Sequence, residues 1–289
     1  MNPKLSLVIG ILFISFSPIF VKWAEATPAV CGFYRIACAW VCLLPYCLYK
    51  GNLQMARKDM LLALLGGLIF ACDVTVWNVS IKMISATVST LLANLAPVWV
   101  GLLSYLLFRK KSGWLFWLGT GIAIVGMIIL VGINQVMQLQ FSLGVVLAVA
   151  ASMLYAVYML VSKDVLKRIA TLPFMFYSML CSTVFLLLLC VFLGDNLLHF
   201  NAKTWWSFAG MGIICQLAGW ITINYAISKL ESTKVSIALL SQTVTTGILA
   251  ALLLHESLET KEIIGSVVVL AGIGMTFLKL KQTVAHSSS

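Results

Sequence analysis

The sequence predicts an all-α integral membrane protein of ten transmembrane helices, arranged as two inverted five-helix repeats. Three observations predict it: apolar blocks of membrane-spanning length, basic residues gathered in alternate loops, and a residue pattern in the first half that returns in the second. Of 289 residues, 62% are hydrophobic and 10% charged, against roughly 25% charged in a soluble domain. A single soluble core could bury much of this, but the apolar residues come in repeated runs of about 20, the length that crosses hydrocarbon.

Apolar windows and their breakers place helices near 5–22, 29–48, 60–81, 87–107 and 114–133, then 142–161, 173–193, 204–228, 235–254 and 263–280. Lys4, the run from Leu5 to Val21 and Ala24-Glu25-Ala26 imitate a signal peptide. The run of 17 residues exceeds the usual core of about 7 to 15, and Pro18 and Lys22 interrupt the pattern, so it is read as helix one. Pro28 and Pro173 stand at helix starts, where a missing N–H costs nothing. Residues 282–289, ending Ala285-His286-Ser287-Ser288-Ser289, read as a flexible tail.

Charge reports orientation. With the amino terminus inside, the alternate segments around Lys4, Lys50 to Lys58, Arg109 to Lys111, Lys163 to Arg168, Lys229 to Lys234 and Lys279 to Lys281 hold 14 of the 19 basic residues. The opposite side holds four, Lys22, Lys82, Lys203 and Lys261, and Arg35 lies inside a span. Basic residues collect on cytoplasmic loops, so both termini are expected in the cytoplasm. The net charge of +10 is thereby a topology signal, and no nucleic-acid partner is expected.

The halves echo each other. Trp77-Asn78-Val79-Ser80-Ile81 matches Ile223-Asn224-Tyr225-Ala226-Ile227 at an offset of 146, Val88-Ser89 matches Val235-Ser236 at 147, and Gly119 and Gly126 match Gly265 and Gly272 at 146. The expected division is 1–135 for the first repeat and 136–281 for the second. Five spans per half is an odd number, so the second copy enters the bilayer from the opposite side. Inverted repeats are typical of secondary transporters, with substrate bound near the midplane where the halves meet.

Polar residues within spans are expensive. An ionised side chain at mid-helix costs at least about 2.5 to 3.5 kcal/mol on insertion scales. Asp73 lies mid-span with Trp77 one turn on, and its repeat counterpart is Gly219. It reads either as a cavity carboxylate for a substrate ammonium or a coupling proton, or as a structural acid paired with Lys22 or Arg35. Gln216, Trp220 and Asn224 repeat every four residues and share a helix face. Asn94 beside Pro97, Gln242 with Ser241 and Thr245, and Asn78 at the position equivalent to Asn224 add polar groups. Interhelical hydrogen bonding is the competing account for these. Tyr155, with Tyr158 one turn on, offers an aromatic wall, and Arg35 a link from helix two to a neighbouring carbonyl or carboxylate. The candidate substrate-binding set is therefore Asp73, Trp77, Asn78, Asn94, Tyr155, Gln216, Trp220, Asn224 and Gln242.

The eight cysteines, all within apolar runs, form no C-x-x-C pair and read as small hydrophobes; Cys38 and Cys42 alone make a poor metal site. No metal or other cofactor is expected. The spans lack the acid clusters or nucleophile–base pairs of an intramembrane enzyme, and no G-x-x-x-x-G-K points to ATP. A transporter, a channel and a non-transporting receptor stay open, and so do a monomer and a homodimer among lipid.

Several segments in order resemble the drug/metabolite transporter superfamily, and within it the ten-helix EamA-type exporters. They are Ser15-Phe16-Ser17-Pro18 through Lys22, Tyr34-Arg35-Ile36-Ala37, Ser85-Ala86-Thr87 with Leu91 through Pro97, and Glu256 followed by Gly265 and Gly272. The resemblance spans about residues 5 to 280. Arg109-Lys110-Lys111 departs from it, standing where many relatives carry an acid matching Glu256, so that acid's role does not carry over to the first half. The resemblance implies a bacterial inner-membrane exporter of amino acids or related amphipathic zwitterions. Cationic drugs and other metabolites are the alternative cargo.

Overall fold

The computed structural model describes residues 2–50, 53–84, 89, 92–109, 113–131, 142–254 and 260–277, and every regular element among them is helical. In chain order these are α1 (Pro3–Ile14), α2 (Ser17–Trp23), α3 (Pro28–Lys50), α4 (Arg57–Met83), α5 (Ala96–Phe108), α6 (Trp114–Val131) and α7 (Leu143–Val165). Then come α8 (Thr171–Leu193), α9 (Ala202–Gly210), a π-helical segment (Met211–Gly219), α10 (Trp220–Lys229), α11 (Ser232–Ala238), α12 (Ser241–Leu254) and α13 (Thr260–Phe277). Among the described residues, six helical stretches are long and apolar enough to cross a membrane, and Ala96–Leu106, Trp114–Ile129 and Ile263–Met275 are shorter apolar helices. Exposed Leu188, Val191 and Phe192 on α8 give that helix an apolar outer face suited to hydrocarbon. The segments around Ser85-Ala86-Thr87, Lys110-Lys111, Glu256 and Glu259, and the tail, lie outside the described residues.

Three expected spans are not single helices. Helix one is broken at Ser15–Phe16 between α1 and α2, because Pro18 has no N–H for the carbonyl of Ile14 and its ring crowds that turn. Pro97 does the same to Ala93, and the chain turns at Asn94–Leu95 before α5. The third break, at Leu239–Leu240 between α11 and α12, has no proline. There the Ser241 hydroxyl donates to the Ala238 carbonyl at 2.7 Å, one of the side-chain bonds that bend helices. The offset of 146 carries the break at Asn94–Leu95 to within one residue of that at Leu239–Leu240.

Helix α4 packs against α7 and α8, α3 against α8 and the π segment, and α1 against α10. The main core gathers Ile36, Phe70, Met159, Phe174 and Trp220 among these helices. Tight crossings depend on glycine. A Cβ on Gly67 would lie 2.0 Å from the carbonyl oxygen of Ser178, whose helix also bonds back through Ser182 Oγ to Gly67 O at 2.7 Å. To one side, α6 meets α13 backbone to backbone. A Cβ on Gly126 would stand 2.9 Å from Gly265 O, and one on Gly272 would stand 2.7 Å from Gly119 O. The two glycine pairs named from the sequence thus pack against each other.

Candidate functional site

A cavity of about 90 Å³ lies among α1, α2, α3, α4, α7, α10 and the breaks at Asn94 and Leu239. At about 10 to 15 Å³ per water, it has room for several waters or the polar head of a small metabolite. Helix α4 supplies Phe70, Asp73, Val74 and Trp77, whose spacing of three and four puts them on one face. Tyr155 comes from α7 and Trp220 from the start of α10. The ring of Trp220 stands edge-on to Phe70, with centroids 4.8 Å apart, and to Tyr155 at 6.0 Å, so the aromatic wall is interlocked.

The discontinuities are where this lining comes from. Ile14 and Ala93, the residues whose carbonyls lose a donor to Pro18 and Pro97, both face the cavity, as do Ser17, Asn94, Leu239 and Gln242. Hydrogen bonds tie one break to the next. Asn94 Nδ2 donates to Thr243 Oγ1 at 2.6 Å, and Thr246 Oγ1 donates to the Ser15 carbonyl at 3.1 Å. Arg35 joins the first break to the π segment, donating from Nη1 to Ser17 Oγ at 3.2 Å and from Nε to Gln216 Oε1 at 2.9 Å.

Of the residues singled out from sequence, the structure brings Asp73, Trp77, Asn94, Tyr155, Trp220 and Gln242 together on the cavity wall. Asp73 is half-buried and makes no ion pair or hydrogen bond among the described residues, so neither Lys22 nor Arg35 neutralises it by contact. The other three residues lie off the wall. Asn78 donates to the Pro28 carbonyl at 2.9 Å and fastens α4 to the start of α3. Gln216 stands behind Arg35, and Asn224 accepts from Tyr158 Oη at 3.3 Å. The expected stripe of Gln216, Trp220 and Asn224 thus contributes only Trp220 to the wall. The wider π winding over Met211–Gly219 rotates Gln216 out of α-helical register.

Sequence reasoning took Arg35 for a link and passed over Phe70, Ile14 and Ala93. Two signals locate these last three: Phe70 shares the Asp73–Trp77 face, and Ile14 and Ala93 each precede a proline by four residues. Tyr158, named beside Tyr155, is buried behind it with ring centroids 6.3 Å apart. Among the described residues no group of three or more His, Cys, Asp and Glu could hold a metal ion.

A largely apolar cavity that holds one carboxyl and one guanidinium at the breaks of helices, within an apolar bundle, fits a multi-pass helical membrane protein of the transporter class. The sequence pattern of the EamA-like transporter family matches residues 3–132 and again residues 142–278, and the chain belongs to that family. Among its relatives is the uncharacterized transporter YdfC of Bacillus subtilis (strain 168), 23% identical over 96% of this chain and 90% of that one. A transporter of Archaeoglobus fulgidus is 24% identical over 98% and 100%. The S-adenosylmethionine uptake transporter of Rickettsia prowazekii (strain Madrid E) is 19% identical over 51% and 49%. A solved crystal structure superposes with a TM-score of 0.81, covering 97% of this chain and 99% of that one at 14% identity, which shows a shared fold.

Proposed function

We propose that the chain is a secondary transporter or facilitator that moves small amine-bearing metabolites, amino acids and related amphipathic zwitterions first, outward by alternating access. One observation carries this reading: Asp73, a carboxylate that makes no hydrogen bond or ion pair among the described residues, lines an aromatic-walled cavity at the breaks of three helices. A carboxylate and aromatic faces attract a cation together. The amphipathic remainder of the substrate would lie against Phe70, Trp77 and Tyr155. The Rickettsia relative is named for S-adenosylmethionine, a molecule with an amino-acid end, which favours the same class. Its name also supports import as a second reading of direction.

The architecture we propose is ten spans in two inverted repeats, 1–135 and 136–281, with both termini in the cytoplasm. On this reading the two halves of each broken helix count as one span, which would make ten. The two matches to the family pattern, the equivalent breaks and the reciprocal glycine contacts support the repeat.

The test is Asp73→Asn in proteoliposomes preloaded with tritiated L-leucine, L-methionine or L-phenylalanine, with flux per folded molecule measured beside the melting temperature. This change keeps volume and removes charge. Loss of most flux at an unchanged melting temperature is expected, and full flux per folded molecule refutes the reading. Flux that follows an imposed pH gradient assigns Asp73 a coupling proton in addition. Right-side-out and inside-out vesicles separate export from import.

A further inference from the structure

We propose that Arg35 is the anion-binding pole of this cavity, so that the cargo is a free amino acid held by its carboxylate at Arg35 and its ammonium at Asp73. The proposal rests on the reading that the cavity carries substrate, and it adds a second recognition element that excludes simple amines.

Arg35 is 7% exposed, on α3, within a bundle where an isolated cation is costly. A guanidinium offers five N–H donors in a fixed fork. Two bonds are made, to Ser17 Oγ and Gln216 Oε1, both neutral acceptors. No carboxylate among the described residues lies within ion-pairing distance of it. Its outer nitrogen, Nη2, makes no hydrogen bond among the described residues. Arg35 lines the cavity, so its unused donors have room for a ligand there.

A structural arginine in a membrane is usually neutralised by an acid. Here an acid is available on the same cavity wall, and the two charges do not meet. Instead, Arg35 is steered by neutral groups on two separate discontinuities, Ser17 beside the first break and Gln216 in the π segment. An acid and a guanidinium that line one small cavity without touching are complementary to a molecule that carries both charges. A planar fork matches a carboxylate bidentately, which a lysine ammonium cannot do. A ligand with only one charge would leave the opposite pole uncompensated.

The experiment measures dissociation constants from ligand-dependent melting shifts on the purified full-length protein. The probes are L-leucine, L-methionine and L-phenylalanine, the matching amines isopentylamine, 3-(methylthio)propylamine and 2-phenylethylamine, and the three N-acetyl amino acids. The wild type is expected to bind at least one amino acid at least about tenfold more tightly than its amine and than its N-acetyl form. Arg35→Gln should erase the preference over the amine, and Arg35→Lys should restore only part of it. If Arg35→Gln does not fold, the wild-type panel decides alone. Amines bound as well as amino acids, a preference that survives Arg35→Gln, or no amino acid bound overturns the proposal. Amine binding that Asp73→Asn abolishes overturns the Arg35 assignment and leaves the carboxylate reading standing, whereas full flux in Asp73→Asn sinks that reading itself.

Discussion

Gln216 reaches the site only through Arg35, to whose Nε it presents its amide oxygen at 2.9 Å, while Gln242 touches the cavity and makes no side-chain hydrogen bond among the described residues. The two glutamines should therefore fail differently. Gln216→Leu strands a buried charged donor, a loss of about 1 to 3 kcal/mol, and should lower the melting temperature. Gln242→Leu should leave melting nearly unchanged while altering flux. Thermal unfolding in detergent beside flux checks both, and a Gln216→Leu variant as stable as wild type would show that the bond to Arg35 carries no weight. Asp73, Trp77 and Trp220 were legible in the sequence because a polar or amphipathic group at mid-span needs a reason. Arg35 was legible as costly but not as open, because sequence does not reveal whether a buried cation has met its acid. Phe70 was hidden by being ordinary, since an apolar residue in an apolar span stands out only through its neighbours' spacing.

The elements divide into those that hold shape and those that yield. Where α4 crosses α8, Gly67 lets backbone meet backbone, and a methyl group there would sit 2.0 Å from a carbonyl oxygen that has no rotamer to escape through. Gly67→Ala should cost about 1 to 3 kcal/mol by overpacking, read as a lower melting temperature. Gly121→Ala on α6, where an added Cβ meets nothing within 4 Å, should be neutral or slightly stabilising and is the matched control. Equal melting of the two variants would mean that the α4–α8 crossing adjusts freely. The long helices were legible from hydropathy, and two of the three breaks sit where proline announces them. The break at Leu239–Leu240 was not legible. Its one local mark is the Ser241 hydroxyl bonded to the Ala238 carbonyl, and such bonds also occur in unbroken spans, as from Thr75 to Ala71. The π winding around Gln216 was likewise invisible.

Across the whole molecule, charge gathers at one end of the bundle. Arg168 binds Asp59 at 2.8 Å and Asp164 at 3.0 Å, and Lys163 Nζ donates to the carbonyls of Ile227 and Leu230, each at 2.7 Å. A cation against the last carbonyls of α10 also opposes the negative end of that helix. The charged groups among these lie in or beside segments that the basic-residue count assigns to the cytoplasm. Reporters fused after Lys50, Lys111, Arg168 and the carboxyl terminus should therefore read cytoplasmic, and those after Lys82 and Gln138 external. An external carboxyl terminus would refute both the ten-span count and the inverted repeat.

The bonds that shape the cavity also cross from one half of the chain to the other. Asn94 is answered by Thr243, the Ser15 carbonyl by Thr246, the Ser6 hydroxyl by the Thr222 carbonyl, and Arg35 by Gln216. Synthesis runs in one direction, so the first half enters the bilayer with each of these groups still waiting for its partner. The cavity is therefore completed only when both halves are present, and a chain cut after the first would leave these polar groups without the partners named.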